Sequence, residues 1–416
     1  MFDKVIGYQD EKLELSRVLD TILSESKYAK IGVKTPRNIL LHGEAGIGKS
    51  LLAREFANET GKKIYIIRKD QPNGDFIKYI KGIFKEAEDN NGIIIVEDLC
   101  KFANTDVHNR DAQEFVCVQS CIDETRDQVF VIATANDIRK LPDSLVRSGR
   151  FDTVIEMRYP TGKTATEIVE YFLKDKNVED SVSAEEISRI MDGHSISDLE
   201  QVANDAGVYA IYEGRNKISR DDLIRAAMRI IFNAPESSVE RKKEDLQRLA
   251  VHEGGHCVVM ECLESGSVNL VSINGHNGSI GGITSYNNNE SYFCSPRYME
   301  YRVIALLAGK AATEMVFGDY DIGCNKDVER AFNIVERFVD NYCNFGFDKF
   351  ERHGSSPVLL EKRETFVHAE IDRYYQKAKQ LIARNRSFFD EIVRQLMQKK
   401  TLASEDIKVI KSNFYS

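Results

Sequence analysis

Four short apolar runs, each followed by a stretch of helical spacing, constrain most of what the first third of this 416-residue chain can become. The runs are 38–42, 63–67, 92–96 and 129–133, and segments such as 50–60 and 76–88 place apolar residues three and four apart between them. Strands that are apolar on both faces and alternate with helices have one common solution, a parallel sheet covered by helices on either side. The expected fold class here is therefore an α/β domain of the nucleotide-binding type, over residues 1–158.

After Pro160 the strand pattern stops. Segments 164–173, 183–191, 197–212 and 219–232 read as helices, each opening on a Ser or Thr suited to an N-cap. This predicts a small helical domain over 159–232. The polar stretch 233–243, with its Ala234-Pro235 step, reads as a linker. A third, mainly helical domain is expected over 244–416, with short β-like runs at 268–273 and 282–286. Within it Val367, Ile371, Tyr374, Ala378 and Leu381 share one helical face.

Composition removes several function classes. A net charge of -9, with basic residues only in short clusters such as Lys62-Lys63 and Arg241-Lys242-Lys243, argues against a nucleic-acid partner. Eight cysteines without a C-x-x-C pair read as reduced thiols of a cytoplasmic protein. No run approaches the roughly 18 apolar residues that cross a bilayer, and no signal peptide opens the chain. A soluble cytoplasmic protein is expected, associated with a membrane only if an N-terminal anchor lies outside this sequence.

Two motifs carry chemistry. Gly43-Glu44-Ala45-Gly46-Ile47-Gly48-Lys49-Ser50 fits G-x-x-x-x-G-K-[ST] and sits between a strand and a helix that Leu51 continues. Such a loop wraps phosphates with backbone N–H groups at a helix N-terminus. Lys49 is expected on the β- and γ-phosphates of ATP, and Ser50 on Mg²⁺. The matching acidic pair ends the strand at 93–96. Glu97 is expected to face the metal and Asp98 to orient the attacking water, an order reversed from the usual one. Asn136 ends a later strand near the same sheet edge, and Arg147 and Arg150 follow it.

The second motif is His252-Glu253-Gly254-Gly255-His256, an H-E-x-x-H on a helix. Residues four apart share a helix face, so both histidines can ligate one zinc ion, with Glu253 placed as general base. The glycine pair costs a helix about 1 kcal/mol per residue. We expect it to permit close packing beneath the metal and an extended peptide. Spacing alone leaves Glu261, Glu314 and Asp327 open as third ligand.

Residues 2–12, the phosphate loop, Asn136, Arg147 and Arg150 together resemble an AAA ATPase module, and 192–199 resembles the segment its helical lid adds to the nucleotide site. Joined to an H-E-x-x-H domain, this looks like the FtsH-type ATP-dependent zinc metalloproteases, from Phe2 to about Ile410. The resemblance implies a homohexamer acting on unfolded or partly unfolded proteins, with one Zn²⁺ per subunit, ATP and Mg²⁺. It implies that Arg147 and Arg150 reach a neighbouring subunit's nucleotide. It points to Asp327, within 321–331, as third zinc ligand, and gives Glu314 a supporting position behind the ligands. Three departures stand out: no counterpart of the family's two N-terminal membrane helices, the reversed Glu97-Asp98 pair, and a missing aromatic-Val-Gly pore loop. Phe76 and Tyr79 are the aromatics on hand to replace it, at a spacing with Ile80 and Phe84 that also suits a core face.

Overall fold

The computed structural model describes residues 1–32, 38–69, 73–102, 113–125, 129–146, 149–235, 241–275, 281–287, 295–342 and 356–414. The chain divides into two compact units, one of residues 1–188 and 193–219, the other of 189–192 and 220–416. The expected three-part division is thus met by two compact units, with the helix that follows residue 219 counted in the second.

In chain order the first part runs α1 (Gln9–Leu23), α2 (Glu25–Ala29), β1 (Asn38–His42), α3 (Lys49–Glu59), β2 (Ile64–Ile67), α4 (Asn73–Asp89), β3 (Ile93–Val96), α5 (Gln113–Glu124), β4 (Phe130–Ala135) and β5 (Thr153–Glu156). Then come α6 (Gly162–Leu173), α7 (Ala184–Ile190) and α8 (Ile196–Tyr212). The five strands form one sheet in the order β2-β3-β4-β1-β5, all parallel. The central strands β1, β3 and β4 are buried nearly throughout, which is why their sequences are continuous runs of Ile, Leu and Val. Two apolar layers result. Leu40, Ile94, Val96 and Val131 pack with α4 and α5 on one face, and Ile39, Leu41, Ile93 and Ile95 with α1 and α3 on the other.

The sequence reading missed β5. Of its four residues only Ile155 is buried, because it lies at the sheet edge beside β1 and reads as a polar segment. Phe76 belongs to the core: fully buried in α4, it meets Phe102 edge-on at 5.1 Å. Tyr79 donates its hydroxyl to the Ile66 carbonyl at 3.0 Å. Of the two readings left open for these aromatics, the core face is the one Phe76 takes.

The second part comprises α9 (Arg220–Ile231), α10 (Lys243–Leu263), β6 (Val268–Ser272), β7 (Ile283–Tyr286), α11 (Pro296–Phe317), α12 (Asn325–Asp340), α13 (Pro357–Arg384), α14 (Arg386–Lys399), β8 (Thr401–Ala403) and α15 (Ser404–Ser412). Its core centres on α10, packed among α11, α13 and α14, with Val367, Ile371, Tyr374 and Ala378 of α13 all buried. A small antiparallel sheet, β7-β6-β8, lies beside α10, and β7 is one of its two edge strands.

The glycine pair in α10 permits close packing as expected, and what approaches is helix rather than peptide. A Cβ on Gly255 would stand 2.7 Å from the Ala308 carbonyl and 2.6 Å from the Ala312 Cβ, both on α11. One on Gly254 would meet Val393 at 3.0 Å, on α14. Both glycines let neighbouring helices approach α10. The helix cost is offset by helix–helix contact on two sides.

Candidate functional site

The phosphate loop leaves β1 at Gly43 and enters α3 at Lys49. Gly46 and Gly48 adopt φ of 77° and 89°, a left-handed backbone that side chains disfavour. Lys49 donates to the Gly43 carbonyl at 2.8 Å and to the Glu44 carbonyl. Burial pushes its ammonium below the usual lysine value, and nearby Asp98 opposes that shift. A cleft opens over the loop, lined in part by Ala45, Gly48, Ser50, Leu51, Glu97 and Asn136. Segment 193–199 closes against it: the Ser197 N–H donates to the Gly46 carbonyl at 3.1 Å, and Ser195 caps α8 through a capping box with Asp198. Ile47, also in the loop, is fully buried under it.

Asp98 and Asn136 come together as expected, with the Asn136 amide donating to the Asp98 carboxylate at 3.1 Å. Glu97 lines the same cleft, with its carboxylate paired to two arginines. Its Oε1 accepts from Arg54 at 2.8 and 3.2 Å, and its Oε2 is held by Arg68. Burial opposes its ionisation, but the two guanidiniums outweigh that and hold the carboxyl below its usual range. The reason is local: Arg54 lies on α3 and Arg68 follows β2, so both reach the end of β3. Neither arginine was flagged by the motif, although two cations flanking one carboxylate is a signal that only the fold could bring together.

Arg150 pairs with Asp123 of its own chain at 2.8 Å and donates to the Ser144 carbonyl. Arg147 lies outside the described residues.

The other site is built from three helices. His252 and His256 project from one face of α10, their Nε2 atoms 3.1 Å apart. Asp327, in the first turn of α12, places Oδ2 3.5 Å from each of them. The His256 Nδ1–H donates to the Ala305 carbonyl of α11 at 2.7 Å, so its Nε2 lone pair faces the other two donors. A tetrahedral zinc with arms of about 2.0–2.1 Å needs donor atoms about 3.3 Å apart. The observed 3.1, 3.5 and 3.5 Å fit, and two imidazoles with one carboxylate are a zinc donor set with an open fourth position. Among the described residues this is the one cluster of His, Cys, Asp or Glu able to hold a metal ion. Burial works against the charge on Asp327, yet the two imidazoles beside it prevail and hold its carboxyl well below the usual range.

Space for these donors is made by Gly309 of α11. A Cβ there would stand 2.5 Å from His252 Cε1 and 2.6 Å from both Nε2 atoms. Glu253 is buried beside the cluster, and its Oε2 accepts from the Thr284 hydroxyl at 2.7 Å. Gly309 and Thr284 escaped the sequence reading, since each matters through a contact distant in the chain. The other two carboxylates are engaged elsewhere. Glu261 accepts from the Gly266 and Val268 N–H groups and from Lys411 at 2.9 Å, which makes it a turn anchor. Glu314 is taken by Tyr375 and by Lys379 at 3.0 Å, and so does not back the zinc ligands as expected.

A phosphate-loop ATPase fold and an H-E-x-x-H zinc-type centre in one chain define a class, the nucleotide-driven metallopeptidases. Comparison with known proteins agrees. Residues 39–159 match the ATPase family associated with various cellular activities (AAA), and 239–410 match peptidase family M41. The chain is 25% identical to ATP-dependent zinc metalloprotease FtsH 2 of Thermoanaerobacter sp. (strain X514), covering 98% of this chain and 82% of that protein. It is 27% identical to the FtsH of Caldicellulosiruptor bescii, over 98% of this chain and 71% of that one. For the FtsH of Thermotoga maritima the identity is 28%, over 99% and 73%. The chain belongs to the FtsH-type AAA zinc metalloproteases.

Proposed function

We propose that this protein is an ATP-driven zinc endopeptidase that acts on unfolded or partly unfolded proteins as a homohexamer. The observation that carries the reading is the geometry of His252, His256 and Asp327 beside a buried Glu253, in a chain that also holds a formed phosphate loop. When bound by those three residues, zinc supplies Lewis acidity at the scissile carbonyl. Glu253 accepts the proton of the attacking water and returns it to the leaving amine nitrogen. The peptide adds as a strand along β7, whose outer edge pairs with no other strand among the described residues.

On the nucleotide side, Lys49 turns from the loop carbonyls to the β- and γ-phosphates and Ser50 takes Mg²⁺. Asp98 and Asn136 place the attacking water. Arg147 acts on a neighbour's nucleotide, and Arg150 joins it by leaving Asp123. The boundaries 1–158, 159–232 and 244–416 stay our reading of the ATPase, lid and peptidase parts. No helix among the described residues is long and apolar enough to cross a membrane. The six described cysteines are free thiols, which supports a cytoplasmic setting.

The paired Glu97 favours a second reading, a ring that binds ATP but turns it over slowly, with peptidase action on flexible chains independent of ATP. Casein cleavage by one sample, with and without ATP and with and without a zinc chelator, separates the two. Cleavage stimulated by ATP and abolished by chelation supports the first; chelator-sensitive cleavage indifferent to ATP supports the second.

A further inference from the structure

Glu253 has to be held in one orientation to serve as a base, and the residues that hold it lie on β7 and just before it. The Thr284 hydroxyl donates to Glu253 Oε2 at 2.7 Å and lies 3.2 Å from the Glu253 backbone carbonyl, so one side chain touches both ends of the residue. Two positions earlier, just before the strand begins, Gly282 leaves room that a Cβ would fill: it would stand 2.7 Å from Glu253 Cγ and 2.9 Å from Oε1. One oxygen of the carboxylate is thus tethered, and the other rests against bare backbone. Glu253 is itself buried, so bulk water does not compete for the tether.

We infer that Thr284 is the positioning residue for the general base. The inference rests on the peptidase reading above. β7 is the edge strand beside which the peptide would lie, and Val271 of β6 fixes Thr284 in register from the other side. Thr284 touches neither the metal ligands' donor atoms nor, by this assignment, the reacting atoms. Its effect passes through Glu253 alone.

The test uses the full-length zinc-loaded chain and a fluorogenic peptide. Thr284→Val keeps the branched shape and strand preference while removing the hydroxyl; Thr284→Ser keeps the hydroxyl. Thr284→Val should lower kcat about 10- to 100-fold, the penalty of roughly an ångström of misplacement, with KM within about twofold. Thr284→Ser should recover most of kcat. Zinc per chain should match wild type in both. In a Glu253→Gln background, which does not cut, Thr284→Val should leave the affinity for the same peptide unchanged. An unchanged kcat in Thr284→Val overturns the inference, as does an equal loss in Thr284→Ser. A fall in zinc content or peptide affinity also overturns it, because the residue would then be holding the site together rather than aligning the base. Wild-type protein that shows no zinc-dependent cleavage defeats the peptidase reading itself, and the inference with it.

Discussion

Gly309→Ala should separate the fold of the peptidase part from its metal affinity. Alanine is a better helix former than glycine by about 1 kcal/mol, so α11 itself gains from the change. The added methyl group, however, would lie 2.5 Å from His252 Cε1 and 2.6 Å from the Nε2 atoms of His252 and His256. Ordinary contact begins near 3.5 Å, so the rings must give way by roughly 1 Å. His256 resists, because its Nδ1–H is bonded to the Ala305 carbonyl at 2.7 Å on the same helix. Zinc ligation tolerates errors of about 0.2 Å. The displacement is several times larger, and zinc affinity should fall by at least the 10- to 100-fold typical of disturbed outer contacts. Competition with a fluorescent chelator gives the affinity, and a thermal melt of the zinc-free protein gives the fold. Wild-type zinc affinity in Gly309→Ala would refute the packing argument. So would a large fall in the zinc-free melting temperature, because the damage would then lie in the helix contacts.

Three more outcomes follow from the same geometry. Glu253→Gln keeps its shape and loses the base, so zinc per chain should stay at wild type while peptide cleavage drops below detection. Arg68→Ala should free Oε2 of Glu97 and lower the Mg²⁺ concentration that half-saturates ATP hydrolysis; an unchanged Mg²⁺ dependence would show that the Arg54 pair alone governs that carboxylate. Glu261→Ala strips a buried anchor from two N–H groups and Lys411, and should destabilise the peptidase part by about 3–5 kcal/mol in denaturant unfolding without changing zinc stoichiometry.

What the sequence made legible was whatever is local. Continuous apolar runs announced β1 to β4, and the phosphate loop and H-E-x-x-H carry their geometry in their spacing. Residues far apart in the chain were harder. Thr401–Ala403 is too short to declare itself a strand, and becomes one only because β6, some 130 residues earlier, offers an edge. The glycines of α10 were visible as an anomaly, but their partners Ala308, Ala312 and Val393 were not. Glu97 looked like a metal carboxylate because its strand is correct; the two arginines that occupy it come from α3 and from the end of β2. Glu314 followed the family pattern and was found bonded to Tyr375 and Lys379. Asp327 was reached by resemblance, since nothing in its spacing from His256 distinguishes it from other carboxylates.

The central claim is that His252, His256 and Asp327 form one zinc site in this chain. The most direct measurement is zinc per chain by elemental analysis after dialysis against a weak chelator, for wild type, Asp327→Ala and Glu314→Ala. The account predicts one zinc in wild type and in Glu314→Ala, whose carboxylate is engaged away from the ligands, and a marked loss in Asp327→Ala. Full zinc in Asp327→Ala, or its loss in Glu314→Ala, would contradict the account and move the third ligand to another carboxylate.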